Sequence, residues 1–139
     1  MAESIRTFMS AHPITVDSSA PVVEAARAMR DSDIGPVLVM DGGQLCGIVT
    51  DRDITIRVVA DGGDPSTVKV GDICSKDPTT LSPDDSVEDA VRLMKDRAVR
   101  RLPVVEGGKP VGIVSLGDLA GERELDPTLD AISSAPPDQ

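Results

Sequence analysis

Apolar residues follow two spacings along this chain, and both spacings occur in each half. Intervals of three and four residues predict amphipathic helices over residues 22–30 and 87–97. Short runs rich in Val and Ile predict strands, because β-branched side chains pack well on a pleated sheet. The predicted strands cover residues 14–16, 37–40 and 46–49 in the first half, and residues 79–81, 102–105 and 111–114 in the second.

A shift of 65 residues superimposes the two halves. It places Pro13 on Pro78 and needs no gap from residue 9 to residue 54. Roughly a third of the superimposed positions are identical, which indicates an internal repeat. In each repeat a Gly-Gly pair predicts a hairpin, and a second helix is predicted over residues 52–60 and residues 116–123. Each repeat therefore has the predicted order β-α-β-β-α.

One repeat has too little surface to bury a core alone. We therefore expect an α/β fold in which two repeats, related by a pseudo-two-fold axis, share one module with sheets flanked by helices and clefts at the seam. The expected division is residues 1–60 and 69–124 for the repeats, residues 61–68 for the linker, and residues 125–139 for a flexible tail.

A short motif ends the last strand of each repeat. Gly, two apolar residues, Thr or Ser, and an Asp three positions later occupy residues 47–53 and again residues 112–118. Over about residues 5–120 the chain resembles the CBS (cystathionine-β-synthase) domain family, and two motifs in register are more specific than one. The resemblance implies that the clefts bind adenosine-type ligands, namely AMP, ADP, ATP or S-adenosylmethionine.

The resemblance also implies roles for the motif residues. Asp53 and Asp118 would hydrogen-bond the ribose hydroxyls, and Thr50 and Ser115 would lie near the phosphate or ribose. The strand end favours a phosphate on physical grounds too, because unpaired N–H groups and the helix dipole point there. An alternative remains open: the same residues are ordinary helix caps, in which the hydroxyl and carboxylate satisfy the first turn. Both roles can hold together.

Further contacts are implied by the strands that precede each helix and each hairpin. The strands containing Thr15 and Thr80 would pocket the base. Arg100 and Arg101 resemble a basic pair that contacts phosphate in nucleotide-binding members, and guanidinium groups suit phosphate oxygens. Adjacent strand residues face opposite sides, so one of the two is expected in the cleft, with Arg101 favoured.

The first repeat lacks this basic pair. Gly35 and Pro36 stand at the matching positions, and Leu38 replaces the proline of the pattern. Arg52 is a candidate to compensate for the missing charge. We therefore expect one better cleft, at Ser115 and Asp118, and one weaker or empty cleft.

Composition narrows the function further. Of the 139 residues 40% are hydrophobic, the net charge is −10, and Phe8 is the one aromatic residue. An acidic surface without aromatic rings argues against nucleic-acid binding and anionic membranes. No run approaches the ~20 apolar residues of a membrane span, and no signal peptide is recognised, so a cytoplasmic location is expected. Cys46 and Cys74 are expected as reduced thiols, and His12 is too isolated to complete a zinc site.

These observations predict a non-catalytic regulatory module that binds an adenine nucleotide, forms a homodimer and acts on a protein partner in trans. The alternative is a ligand-free structural or interaction homodimer of the stress response, whose second helices supply an apolar face. No nucleophile, base or metal set points to an enzyme, and no cofactor is expected beyond the ligand.

Overall fold

A computed structural model describes residues 4–120. Residues 13–78 form one compact unit, and residues 4–12 together with residues 79–120 form another. Each unit combines a small sheet with short helices, which confirms the predicted α/β class. In chain order the elements are a 3-10 turn Ile5–Thr7, β1 Ser10–Ala11, β2 Thr15–Asp17, α1 Val22–Ser32, β3 Pro36–Asp41, β4 Gln44–Thr50, α2 Asp51–Ile54 with a π-helical turn Thr55–Val59, α3 Val70–Ile73, β5 Ser75–Lys76, α4 Val87–Arg97, β6 Arg101–Glu106, β7 Lys109–Ser115 and α5 Leu116–Ala120.

The unit of residues 13–78 has a four-stranded sheet in the order β2-β3-β4-β5. Strands β2 and β3 are parallel and are joined through α1, whereas β3–β4 and β4–β5 are antiparallel. The core is aliphatic, as the near absence of aromatic residues requires. Its buried side chains come from one face of α1 and from the strands beneath: Val22, Ala25, Met29, Val37, Val39 and Val49.

The other unit repeats this plan with a three-stranded sheet, β1-β7-β6. Helix α4 begins at Ser86, whose side chain accepts from the Asp89 N–H while the Asp89 carboxylate accepts from Ser86. The predicted strand over residues 79–81 is reduced to a single parallel bridge between Leu81 and Val104. The stretch is flanked by Pro78 and Pro83, which have no N–H group to donate to a ladder.

Each unit includes a short segment from the start of the other repeat. Strand β1 pairs with β7, and β5, its equivalent 65 residues later, pairs with β4. The partner strands approach so closely that only glycine fits. A Cβ at Gly47 would lie 2.6 Å from the Ser75 carbonyl oxygen, and one at Gly112 would lie 2.6 Å from the Met9 Sδ. The motif glycine therefore makes room for a backbone neighbour.

The second helix of the first repeat differs from the prediction over residues 52–60. It is α-helical only over α2 and continues as the π-helical turn Thr55–Val59. The sequence signals also missed α3 and β5, because four-residue and two-residue elements carry little periodicity. Helix α5 is described to Ala120; the rest of the helix predicted over residues 116–123, and the predicted tail, lie outside the described residues.

Candidate functional site

The strand-end motif of the first repeat forms a closed helix cap. The Thr50 N–H donates to Asp53 Oδ2 at 2.9 Å, and the Asp53 N–H donates to Thr50 Oγ1 at 3.1 Å. Thr50 is 4% exposed and Asp53 is 3% exposed. This reciprocal pair is a capping box, which satisfies two of the helix's unpaired N–H groups. The capping alternative is thus realised in the first repeat.

The remaining N–H groups of this turn also have partners. The Asp51 N–H donates to the Gly35 carbonyl at 3.0 Å, and the Arg52 N–H donates to Asp51 Oδ1 at 2.9 Å. Arg57 lies 3.9 Å from Asp53 and donates to the Ile73 carbonyl at 2.6 Å. Every N–H from the cap to the third helical residue is therefore already bonded within this unit. Asp51 was not among the predicted site residues, although an acid directly after the cap is a recognisable signal.

The second repeat has the same cap with a different surface. The Ser115 N–H donates to Asp118 Oδ2 at 2.9 Å, and the Asp118 N–H donates to Ser115 Oγ at 3.1 Å. The Leu116 N–H donates to the Arg100 carbonyl at 2.6 Å. Ser115 and Asp118 are both half-buried rather than buried. The residues of this cap are therefore more exposed than their counterparts in the first repeat.

Two substitutions distinguish the turns. Leu116 stands where the first repeat has Asp51, and Gly117 stands where it has Arg52. The second turn consequently lacks the carboxylate that bonds the N–H at the equivalent position in the first. Because Gly117 also removes the positive charge of Arg52, the two substitutions together leave the net side-chain charge of the turn unchanged.

The predicted site residues divide between the two units. One unit contains Ser115, Asp118, Arg100 and Arg101. Arg101 is paired with Ser115 in the β6–β7 register, and both arginines are half-buried. Thr80 lies in the same unit and is exposed. In the other unit, the structure places Thr15 in β2 as an exposed residue, and Thr50 and Asp53 in the buried cap.

Two further features bear on the chemistry. Among residues 4–120, no cluster of three or more His, Cys, Asp or Glu side chains has the arrangement needed to hold a metal ion. None of the described helices is both long and apolar enough to span a bilayer.

Comparison with known proteins gives a consistent family assignment. The CBS domain model matches residues 4–60 and again residues 70–124. The CBS domain-containing protein YhcV of Bacillus subtilis (strain 168) is 39% identical over 117 residues, which is 84% of this chain and 83% of that protein.

Two solved structures are similar in fold. The crystal structure of Hypoxic Response Protein I, with two coordinated zinc ions, has a TM-score of 0.79 and 31% identity, covering 87% of this chain and 99% of that one. The CBS domain pair of protein MJ0100, in complex with 5'-methylthioadenosine and S-adenosyl-L-methionine, has a TM-score of 0.77 and 25% identity. It covers 86% of this chain and 98% of that one.

Proposed function

The chain belongs to the CBS domain family, and from that premise we propose that it is a non-catalytic regulatory module for an adenosine-type ligand. The ligand binds at the strand end formed by Ser115 and Asp118, and it is AMP, ADP, ATP or S-adenosylmethionine. Binding changes the interaction of the protein with a partner in trans. A cytoplasmic location belongs to the same proposal, in keeping with two cysteines that remain free thiols.

The observation that carries the proposal is the accessible cap of the second repeat. The cap uses Asp118 Oδ2, and Asp118 Oδ1 takes no part in it. A carboxylate offers about four lone-pair directions, so the cap leaves acceptors for two neighbouring ribose hydroxyls. The half-buried Asp118 presents these acceptors, whereas Asp53 is enclosed. The S-adenosylmethionine bound by the similar pair MJ0100 supports a ligand of this class.

Arg101 is the proposed contact for a phosphate or carboxylate of the ligand. It stands opposite Ser115 in the β6–β7 ladder, so the guanidinium group starts from the strand position beside the motif hydroxyl. A guanidinium–phosphate bond is charge-assisted and is roughly twice as strong as a neutral hydrogen bond. In a chain of net charge −10 such a local cation is needed to hold an anion.

The first repeat is the weaker site in this proposal. Gly35 and Pro36 occupy the positions of the two arginines, so the phosphate contact is missing. Arg52 lies at a different position in the repeat from either of the two arginines. Asp51 adds a carboxylate, and one of its oxygens already accepts a hydrogen bond from the Arg52 N–H. We expect Thr50 and Asp53 to act mainly as a cap, with at most weak ligand binding.

Isothermal titration tests the proposal with AMP, ADP, ATP and S-adenosylmethionine in turn. We expect saturable binding of at least one of them, and loss of that binding in Asp118→Ala with the circular dichroism spectrum unchanged. Absence of binding by all four at millimolar concentration would remove the nucleotide-sensor function. Turnover of any ligand that persists in Asp118→Ala and Asp53→Ala would instead point to an enzyme.

A homodimer, with or without ligand, is the second candidate function. Ile56 is 46% exposed and Val59 is 65% exposed, on the π-helical turn that follows α2. Exposed aliphatic side chains so close together favour association with another protein surface. Light scattering measures the mass in solution, and Val59→Asp should reduce a dimer to a monomer. A ligand-free stress-response dimer is supported if the dimer forms and all four ligands fail to bind.

A further inference from the structure

A cavity of about 370 Å³ opens on the unit of residues 13–78, away from the strand-end motif. It lies beside the start of α1, the end of β3 and the segment from Lys69 to β5. Four charged side chains surround it with two hydroxyls: Asp41, Asp72, Lys69, Lys76, Ser18 and Ser19. Nothing in the proposed nucleotide site uses these residues.

The equivalent position in the other unit carries an arginine. The residue equivalent to Gly71 is Arg6, whose guanidinium Nη2 lies 3.3 Å from Asp84 Oδ1 and 3.6 Å from Glu106 Oε2. Glu106 is the equivalent of Asp41. One unit therefore has an arginine against the acid at the end of the hairpin strand, and the other keeps the acid without the arginine.

Gly71 is the reason that the cavity is open. Its N–H donates to the Ser18 carbonyl at 2.8 Å, and a Cβ at this position would lie 2.9 Å from the same oxygen. The approach of the two backbones excludes any larger side chain. Asp41 and Gly71 thus line a cavity at the position where the other unit has Glu106 and Arg6.

The cavity is lined by equal numbers of acidic and basic side chains. Within residues 4–120, the side chains of Asp41, Asp72, Lys69 and Lys76 form neither a hydrogen bond nor an ion pair. Two carboxylates and two ammonium groups on one rim complement a ligand that carries both signs. A simple anion would meet the carboxylates, and a simple cation would meet the lysines, so each is disfavoured relative to a zwitterion.

The geometry points to a second ligand site at this cavity, for a small zwitterionic α-amino acid with a cationic side chain. The side-chain cation, a guanidinium or an ammonium group, occupies the place of Arg6 and faces Asp41 and the Ser19 hydroxyl oxygen. The α-carboxylate faces Lys69 and Lys76, and the α-ammonium group faces Asp72. The site is open to solvent, so the expected dissociation constant is in the millimolar range.

Nuclear magnetic resonance of the full-length ¹⁵N-labelled chain tests the site with L-arginine as the probe. Agmatine, which lacks the carboxylate, and citrulline, which lacks the guanidinium charge, are titrated at the same ionic strength. We expect saturable shifts of the Ser18, Ser19, Gly71 and Lys76 amides with arginine, and binding weaker by about fivefold for each analogue. Equal shifts with all three compounds, or no saturation with arginine, would overturn the assignment.

A matched pair of variants separates this cavity from its equivalent. Asp41→Asn removes the acid at the cavity and should weaken arginine binding about fivefold. Glu106→Gln makes the same change at the position where Arg6 already fills the space, and should leave binding unchanged. Equal effects of the two variants, or no effect of Asp41→Asn, would contradict the site. A nucleotide titration is not expected to move these amides, so its failure leaves this test intact.

Alkylation supplies a second readout. Cys46 lines the cavity, whereas Cys74 is buried and does not line it. Burial and the nearby Asp41 carboxylate raise the pKa of the Cys46 thiol, so iodoacetamide labelling is followed at mildly alkaline pH by peptide mass spectrometry. Bound arginine should slow labelling of Cys46. An unchanged rate at saturating arginine would place the ligand elsewhere.

Discussion

The two strand-end turns share one hydrogen-bond pattern and differ in how much of it is accessible. In both, a hydroxyl and an Asp three residues later cap each other at 2.9 Å and 3.1 Å. Thr50 and Asp53 are buried, whereas Ser115 and Asp118 are half-buried. The cap accounts for the repetition of the motif, and the accessible surface accounts for the proposed ligand.

The comparison separates two roles that one motif can hold. A capping box stabilises the chain whether or not a ligand is present. Ligand binding needs in addition a reachable acceptor and a neighbouring cation, and Arg101 provides that cation only in the second repeat. A similar difference appears between Gly71 and its equivalent Arg6, which lies against Asp84 and Glu106. Repetition of the fold therefore leaves each repeat free to specialise in different places.

The largest expected effect is on the motif glycines. Gly47→Ala would press a Cβ against the Ser75 carbonyl, which is rigid backbone, so we expect a loss of about 3 kcal/mol in the free energy of unfolding. Gly112→Ala would meet first the flexible Met9 side chain at 2.6 Å, and should cost about 1 kcal/mol. Urea unfolding measures both. Equal losses would show that the two close approaches are equally rigid.

Removal of the capping carboxylate should also lower the free energy of unfolding more in the first repeat than in the second. Asp53→Ala loses the cap and leaves the buried Thr50 N–H without its acceptor, so we expect a loss of about 2 kcal/mol. Asp118→Ala loses an equivalent cap that water can partly replace, and should cost about 1 kcal/mol. Thermal or urea unfolding of the two variants gives the comparison. A larger loss for Asp118→Ala would contradict the difference in burial.

The variant Arg101→Ala tests the difference between the two repeats through ligand binding. Loss of one charge-assisted contact should weaken a phosphorylated ligand about tenfold and leave adenosine itself nearly unchanged. Arg52→Ala, the cation beside the first motif, serves as the control and should have little effect. Isothermal titration with AMP and adenosine distinguishes these results. A tenfold loss with Arg52→Ala would move the phosphate site to the first repeat.

The smallest effect expected is a dependence of stability on pH that belongs to the unit of residues 13–78. Burial raises the pKa of both Cys46 and Cys74, so the folded protein keeps these protons to higher pH than the unfolded chain does. The resulting stability is present below the unfolded thiol pKa of about 8.5 and is lost as pH rises above it.

A double variant checks this pH dependence. Cys46→Val with Cys74→Met installs the equivalent residues of the other unit, Val111 and Met9, and should reduce the loss of stability above about pH 8.5. Urea unfolding midpoints on both sides of that pH provide the measurement. A decline of equal size in the variant would assign the pH dependence to other groups.

The sequence predicted most of the fold because the repeat gave each element two independent appearances. Helix α4 has the predicted bounds, and β3, β4, β6 and β7 extend the predicted strands by one or two residues at their ends. The π-helical turn and the pairing of β1 with β7 were not predictable. The β1–β7 pairing joins residues far apart in sequence, and neither a two-residue strand nor a five-residue turn carries a periodic signal.

The residues of the candidate site could be predicted from the sequence, but the degree to which each of them is buried could not. The motif indicated both a cap and a ligand contact, and spacing alone could not decide between them. The burial of each turn distinguishes the two repeats, and burial depends on which side chains pack over the turn. The expectation that the second repeat is the better site stays a prediction, now supported by the exposure of Ser115 and Asp118.

The most direct test is a parallel titration of one nucleotide, chosen from the four as the tightest binder, into Asp118→Ala and Asp53→Ala. If the accessible cap holds the ribose, binding disappears in Asp118→Ala and persists close to the unmutated affinity in Asp53→Ala, at a temperature where both variants are folded. Binding that survives in Asp118→Ala, or that is lost only in Asp53→Ala, would contradict the assignment of the ligand to the second repeat.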